Sequence, residues 1–515
     1  MNQLVSEKII KNTVFNAIGH FFVIVISLLL TPYIVRHLGV ERFGIWAIVF
    51  VVTEYFGLLD LGIGTSFIKY IAEFYTRKDV HKINQIINTG FVFYSILSAI
   101  ILLLILFIID PILVFLNIPL PLRAEASFAF MIGFLIFGVS NALNPYTSIL
   151  EGLQRMDLSN KATIAVLIPN IIGTIFFLES GYGLRGLLLN QSITVGLGII
   201  IKIIMSFRIL PQLKFNPFLF SAEMIKKLLK FGYKLQISRV AYVVNFQMDK
   251  LLITYFLGIG YVAFYQLGSS ITQKMRQIPL ILVSALVPAV SEVEARDGRE
   301  SLKKVYLKGS KYVIFVSTPL LFFVSSNAYL IMLAWMGEGY ENAALVIQIL
   351  SGGYFAATVS GVASSIAVGV GRTEFEMKYG ILVAPMNLFL SLILVIKFGL
   401  AGAVVGTSAS LIFGSFYFLR MFHRYLNAPI DEFIKLFYKP VAACFIPTLL
   451  SIVLSYYFWP MMLSSGRIVN LSILIGIGIL FLGAYIICIK VTKYFDAYDA
   501  DLFRDRLPIL GYLLG

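Results

Sequence analysis

The stretch Leu38-Gly39-Val40 returns 219 positions later as Leu257-Gly258-Ile259. The stretch Lys8-Ile9-Ile10-Lys11 returns at the same offset as Lys227-Leu228-Leu229-Lys230, and weaker matches continue along both halves of the chain. Self-similarity over this length indicates the architecture before any local pattern does. Since each copy holds several long apolar segments, the sequence predicts two matched membrane lobes and a tail. Duplicated lobes with a site between them are typical of transporters.

The composition also indicates a membrane protein. The chain of 515 residues is 59% hydrophobic and 13% charged, with a mean hydropathy of +0.89. Soluble proteins carry about 25% charged residues. The net charge of +14 therefore indicates basic cytoplasmic loops, and we expect no nucleic-acid partner. The four histidines have no metal-ligand spacing, so neither a metal nor a cofactor is expected.

The sequence predicts an all-α integral membrane protein with about fourteen spans, because a spanning helix needs roughly 20 apolar residues. The predicted spans are 13–35, 43–70, 86–109, 127–150, 162–178, 184–204, 231–257, 261–290, 312–332, 343–370, 377–396, 401–421, 438–459 and 468–489. Most of the 41 lysines and arginines fall on one side of this arrangement, which predicts that both termini are cytoplasmic.

The spans group into two lobes. Residues 1–204 form the predicted N-terminal lobe of six spans, and a basic cytoplasmic linker follows at 205–230. Residues 231–421 form the C-terminal lobe, and 422–515 hold spans 13 and 14 with a cytoplasmic tail. Six spans per lobe is an even number, so the lobes are predicted to be parallel repeats.

Predicted span 8 carries a polar stripe flanked by two cations. At about 100° per residue, four polar side chains fall within about 40° of one direction, with Lys274 and Arg276 about 80° to either side. The four are Gln266, Ser270, Gln273 and Gln277. One interpretation is hydrogen bonding between helices, with both cations paired to carboxylates. We favour the other, in which the stripe lines a polar cavity, because ionisable groups within spans usually face protein or water.

Further ionisable groups lie in spans 1, 2 and 7. Arg239 and Lys250 are eleven residues apart in span 7, hence about 20° apart around the helix and roughly 16 Å along it. Asp249 points about 100° away from Lys250, so the two do not share a helix face. We interpret Asp249 as one half of a structural ion pair with a cation on a neighbouring helix. Four acidic or histidine side chains are candidates for ion coupling or for structural ion pairs. They are Glu54, Asp60, Asp249 and His20, with Asp60 favoured as structural because Asp60-Leu61-Gly62-Ile63-Gly64 resembles a bend.

Three stretches resemble the multidrug/oligosaccharidyl-lipid/polysaccharide (MOP) exporter superfamily, and within it the Wzx-type polysaccharide and O-antigen flippases. They are Leu58–Ser66 with Tyr70–Glu73, Met248–Ile253 with Leu257-Gly258, and the turn Glu151–Asp157. The resemblance covers nearly the whole chain. It implies a MATE-like pair of six-helix lobes that alternates between inward-open and outward-open states.

The resemblance also implies a substrate and a location. Such flippases carry an undecaprenyl-pyrophosphate-linked oligosaccharide across the bacterial cytoplasmic (inner) membrane for surface polysaccharide and lipopolysaccharide synthesis. H⁺ or Na⁺ is the implied coupling ion, and a polysaccharide polymerase and assembly proteins are implied partners. For the diphosphate, the candidate ligands are Arg239, Lys274 and Arg276, with Lys250 second. For the sugars they are Gln266, Gln273, Gln277 and Tyr242.

Other functions fit less well. Multidrug exporters of this superfamily typically have a carboxylate in span 1, and peptidoglycan-precursor flippases an arginine–aspartate pair; residues 13–35 hold neither. A membrane enzyme, such as a polysaccharide polymerase or glycosyltransferase, usually needs a sizeable extramembrane loop with carboxylates or a metal motif. No such loop is evident, so we expect a transporter and no enzyme. A non-catalytic scaffold is the remaining alternative.

Overall fold

The computed structural model describes residues 23–284, 286–496 and 499. The described residues are α-helical with short connections and contain no strand, which confirms the predicted all-α fold. The helices are α1 Val23–Leu38, α2 Val40–Phe56, α3 Ile63–Thr76, α4 Val80–Phe115, α5 Leu120–Gly152, α6 Met156–Glu179, α7 Gly183–Ile209, α8 Ala222–Leu257, α9 Ile259–Ser284, α10 Leu286–Ser326, α11 Ala328–Trp335, α12 Glu341–Gly369, α13 Glu374–Leu426, α14 Ile430–Ser464 and α15 Arg467–Val491.

Ten helical stretches among the described residues are long and apolar enough to cross a membrane. They make the chain a multi-pass membrane protein. The polar helices α8 and α9 are not among the ten, and α13 continues through a break at Gly399, where the sequence places the boundary between two spans. The count of fourteen spans therefore stays a prediction.

Predicted span 2 is interrupted at its centre. Helix α2 ends at Phe56, a 3₁₀ turn follows at Gly57–Asp60, and Leu61 and Gly62 have φ of 55° and 76°. Since left-handed backbone is strained for a branched side chain such as Leu61, the turn must be held by its surroundings. The predicted bend is confirmed, but it divides the span into α2 and α3.

The chain forms two compact units that divide between Ala263 and Phe264. Helix α8 and the first residues of α9 thus belong to the first unit, whereas the repeat assigns 231–421 to the C-terminal lobe. The compact units are defined by contacts and the lobes by sequence repetition, so their boundaries need not agree. The lobe boundaries therefore stay a prediction.

The first unit has its main core where α3, α4, α5 and α8 meet, around Phe67, Ile87 and Tyr146. The connection between α7 and α8 packs against this core. Asn84 on α4 accepts from the backbone N–H of Lys214 at 2.7 Å and donates to the Gln212 carbonyl at 3.0 Å. The predicted linker 205–230 is therefore non-helical only between Ile209 and Ala222, apart from a 3₁₀ turn, and side chains of α4 hold its backbone.

The second unit packs α10, α12 and α13 together around Tyr306, Val362 and Phe422. Helices α14 and α15 pack on each other and on α10 and α11, with buried Phe481 and Tyr485 in the contact. The two helices that follow the repeat are thus an integral part of the second unit.

Candidate functional site

Two glycines bring the break between α2 and α3 against α8. A Cβ atom on Gly62 would collide with the backbone of Gly232, and a Cβ atom on Gly232 would collide with the carbonyl of Gly62. The Gln236 side chain donates to the carbonyl of Leu58 in the same turn. The close approach places the polar groups of span 2 beside those of α8.

Asp60 accepts hydrogen bonds from three directions at this break. The backbone N–H of Gly64 donates to Oδ1 at 3.1 Å, and the Tyr94 hydroxyl donates to the same oxygen. Arg239 on α8 donates from Nη1 to Oδ2 at 3.1 Å, forming an ion pair. The Asp60 side chain is 8% exposed and that of Arg239 is 43% exposed. Arg239 is thus anchored by a carboxylate while its side chain as a whole stays partly exposed.

A second polar chain joins α2 to α8 further along both helices. Gln247 donates to Glu54 Oε2 at 2.6 Å and accepts from Lys250 Nζ at 2.8 Å. Lys250 is 7% exposed and Asp249 is fully buried. Glu54 and Asp249 are both close enough to act on the charge of Lys250. The Gln247 amide therefore connects the carboxylate of Glu54 to the ammonium of Lys250 by two hydrogen bonds.

The predicted basic line on α8 divides into an exposed and a buried half. Arg239 and Tyr242 are exposed, and Tyr242 packs on the Phe246 ring at 4.8 Å. Lys250 is buried instead, because α2 covers this part of α8 and supplies Glu54. Helical spacing alone predicted one continuous basic face, and packing against α2 removes Lys250 from the exposed part.

The polar stripe on α9 faces away from the packed side of that helix. Gln266, Gln273, Lys274 and Arg276 are half-buried and Gln277 is exposed, whereas the opposite face is buried. That buried face includes Leu267, Gly268, Ile271 and Thr272. Helix α9 is therefore amphipathic, and its less buried face is the polar face that the sequence predicts.

Tyr354 on α12 supports two residues of the stripe. Its hydroxyl accepts a hydrogen bond from Gln273 Nε2 at 3.2 Å, and the Arg276 guanidinium lies 5.7 Å from its ring centre. Among the described residues Lys274 makes no hydrogen bond and no ion pair. The half-buried ammonium of Lys274 is therefore not neutralised by a carboxylate in the part of the chain that the structure describes.

The structure thus groups the predicted site residues in two sets. Within the first unit Arg239 meets Asp60, and Lys250 meets Glu54 through Gln247; within the second, Gln273 and Arg276 meet Tyr354. His20 lies outside the described residues. Sequence reasoning missed Gln247, Tyr94 and Tyr354. Gln247 was recognisable as a polar residue within a span, but Tyr94 and Tyr354 carry no local signal.

Sequence relatives include membrane proteins of bacteria and archaea. The chain is 23% identical over 409 residues to a candidate O-antigen transporter of Shigella flexneri, covering 78% of this chain and 95% of the relative. It is 21% identical over 512 residues to an uncharacterized membrane protein of Methanocaldococcus jannaschii, covering 96% and 97% of the two chains.

Solved structures with the same fold include a lipid flippase and a multidrug resistance transporter. The lipid II flippase MurJ in an inward closed conformation matches with a TM-score of 0.70 and 17% identity, covering 96% of this chain and 99% of that one. An inward-facing MATE family multidrug resistance transporter of the MOP superfamily matches with a TM-score of 0.68 and 15% identity, covering 78% and 95%. These likenesses confirm the MATE-like fold.

The family model described as "Polysaccharide biosynthesis protein" matches residues 9–294, which is more than half of the chain. Together with the relatives, this match confirms the polysaccharide family that the sequence resemblance indicated, and the solved structures confirm its fold. The chain therefore belongs to the polysaccharide biosynthesis protein family.

Proposed function

We propose that this protein is a flippase that moves an undecaprenyl-pyrophosphate-linked oligosaccharide from the cytoplasmic to the periplasmic leaflet. It works by alternating access in the bacterial inner membrane and supplies a cell-surface polysaccharide pathway. A downstream polymerase then extends the delivered glycan. No covalent bond of the substrate changes, so the role is non-enzymatic.

The observation that carries this proposal is Lys274 on the polar side of α9. It has no carboxylate partner among the described residues and lies two positions from Arg276. A pyrophosphate cannot cross hydrocarbon unaided, because desolvating its charges is too costly without compensating partners. Ammonium and guanidinium donors form the strongest hydrogen bonds to such oxygens. The half-buried glutamines beside them offer amide donors and acceptors to sugar hydroxyls.

Arg239 and Lys250 are assigned supporting roles. Arg239 has a partly exposed side chain whose Nη1 donates to Asp60, so its position is fixed before substrate arrives. Lys250 is buried and hydrogen-bonded to Gln247, which in turn is hydrogen-bonded to Glu54. This arrangement favours a role of Lys250 in the coupling of H⁺ or Na⁺ over direct substrate contact.

Exchange of both α9 cations tests the proposal. Lys274→Gln with Arg276→Gln keeps polar side chains of similar length but removes both charges. In cells that lack their own flippase, we expect surface polysaccharide export by this double variant to fall at least about tenfold, since each charged hydrogen bond contributes roughly 1.5–3 kcal/mol. Membrane protein levels should not change.

Lys397→Gln is the matched control, because Lys397 is an exposed cation in the same unit, beside the break in α13 at Gly399. Its export should equal that of the wild type. Full export by the double variant would refute the assignment of Lys274 and Arg276. Unchanged export together with altered drug susceptibility would favour the multidrug-exporter alternative, and chemically altered lipid-linked glycan would favour an enzyme.

A further inference from the structure

The second unit contains a recess at the end where α11 leads into α12 and α14 leads into α15. It consists of two adjoining cavities of about 220 Å³ and about 300 Å³. Both cavities are lined by Tyr329 and Trp459, which join them into one surface. The larger cavity alone reaches the lower end of the range for small-molecule sites, about 300–1,000 Å³. We call this surface the aromatic recess.

The walls of the aromatic recess are aromatic and its floor is polar. Trp459 and Tyr329 are 36% and 40% exposed, so part of each side chain is accessible from the recess. The floor of the larger cavity contains Asn327 and Ser455, and the Ser455 hydroxyl donates to Asn327 Oδ1 at 2.7 Å. Asn327 is 2% exposed and also donates to Ser451 at 3.1 Å, so the floor is fixed by buried hydrogen bonds.

Carboxylates form the rim of the smaller cavity. Glu338 and Glu341 line it together with Tyr340. Glu341 Oε1 accepts from the backbone N–H of Gly339 at 3.3 Å, and Gly339, with φ of 87°, also lines the cavity. Burial raises the pKa of the Tyr340 phenol still further above neutral, and its hydroxyl can donate a hydrogen bond.

One cation beside this rim has a backbone partner. Arg467, at the start of α15, donates to the carbonyl of Met336 at 3.0 Å and thereby holds the connection in place. The polar part of the lining thus combines two carboxylates with neutral hydroxyls and amides, and the rest is aromatic or aliphatic, including Leu330, Met332, Leu333 and Leu463. The two carboxylates outnumber the one cation and disfavour phosphates and other anions, and they accept hydrogen bonds from groups that carry O–H donors.

We propose that the aromatic recess binds neutral sugar residues, with pyranose rings stacked on Trp459 and Tyr329 and their hydroxyls donating to Glu338 and Glu341. A sugar ring offers one face of C–H groups and a periphery of hydroxyls. The recess offers the complementary pair, an aromatic wall and a carboxylate rim. This inference goes beyond the proposed function, because binding of a free sugar does not depend on transport.

A membrane-interface anchor is the competing explanation, since tryptophan and tyrosine are enriched where proteins meet the lipid headgroups. An anchor faces lipid and needs neither a concave floor nor a charged rim. The carboxylates also disfavour an anionic lipid headgroup as the occupant. A zwitterionic headgroup is a separate outcome of the experiment.

Tryptophan fluorescence of the full-length protein in nanodiscs tests the site. The chain has three tryptophans, and the double variant Trp46→Phe/Trp335→Phe keeps only Trp459. Tetrasaccharides of glucose, galactose and N-acetylglucosamine are the probes. We expect at least one of them to change the emission of this variant and of the wild type saturably, and to leave Trp459→Phe unchanged.

The rim and the competing occupants give further measurements. Glu338→Gln/Glu341→Gln should weaken sugar binding about fivefold, because charged acceptors are replaced by neutral ones. No saturable change with any of the three sugars would overturn the proposal. So would a response to glycerophosphoethanolamine alone, or quenching of Trp459 by brominated lipid that sugar does not relieve. Monodisperse elution of every variant ensures that a lost response is not a folding defect.

Discussion

Asp60 joins the strained turn after α2 to two other helices. The carboxylate accepts from the Gly64 backbone, from Tyr94 on α4 and from Arg239 on α8. A buried carboxylate is costly unless its oxygens are paired, and here each of the two oxygens has a strong donor. The ion pair with Asp60 also orients the Arg239 side chain. One residue therefore serves both the fold and the candidate site.

Replacement of Asp60 by Asn should destabilise the protein. The amide keeps the shape of the side chain but removes the charge opposite Arg239. Breaking a buried ion pair costs about 3–5 kcal/mol, and since Arg239 is 43% exposed we expect about 1–3 kcal/mol here. Thermal unfolding in detergent should give a lower apparent Tm. Asp110→Asn, at an exposed position on α4, is the control and should leave the Tm unchanged.

Combining Asp60→Asn with Arg239→Gln separates the structural role from ion coupling. If the ion pair is the reason for the carboxylate, the double variant should be no less stable than Asp60→Asn alone. An Asp60→Asn protein with wild-type Tm but no export would instead assign Asp60 to ion coupling.

At the scale of elements, α13 is a tight hairpin of two helical rods that meet at Gly399. The backbone there has φ 57° and ψ −137°, which only glycine adopts readily. Ser391 of the first rod donates to the carbonyl of Ala403 in the second at 3.1 Å. A Cβ atom on Gly406 would lie 2.6 Å from the Ser391 backbone nitrogen. Small residues thus let the two rods approach at backbone distance, as is common between membrane helices.

Gly406→Ala should therefore destabilise the hairpin despite the better helix propensity of alanine. The new methyl group meets backbone atoms, which cannot rotate away, and overpacking of this kind costs about 1–3 kcal/mol. Gly476→Ala in α15 is the matched control, since a Cβ atom there meets nothing within 4 Å. The control should be neutral or stabilising by up to about 1 kcal/mol. Equal thermal unfolding curves for the two variants would contradict the close contact.

At the scale of the whole molecule, the sequence predicted what depends on long periodic patterns. The all-α class, the apolar stretches, the bend after Asp60 and the interruption near Gly399 follow from hydropathy and glycine positions. The polar direction of α9 follows from helical periodicity. The contacts Asp60–Arg239 and Glu54–Gln247 join residues 179 and 193 positions apart, and nothing local encodes which helices meet. Burial of Lys250 depends on the same unpredictable packing.

Cysteine labelling can test the number and the orientation of the predicted spans. Seven predicted spans, 7 to 13, separate the linker from the connection between α14 and α15. An odd number places these two sites on opposite sides of the membrane. Suitable positions are Phe218, which is 96% exposed, and Gly466, where a Cβ atom meets open space.

The variants Phe218→Cys and Gly466→Cys are made after both native cysteines, Cys444 and Cys488, are replaced by alanine. With a cytoplasmic N-terminus, a membrane-impermeant maleimide should label Gly466→Cys in intact spheroplasts. It should label Phe218→Cys only after permeabilisation, because the basic linker stays inside. The cysteine-free parent gives the background. Labelling of both positions from the same side would mean that one predicted span between them is missing or additional, and the polar helices α8 and α9 would be the first to re-examine.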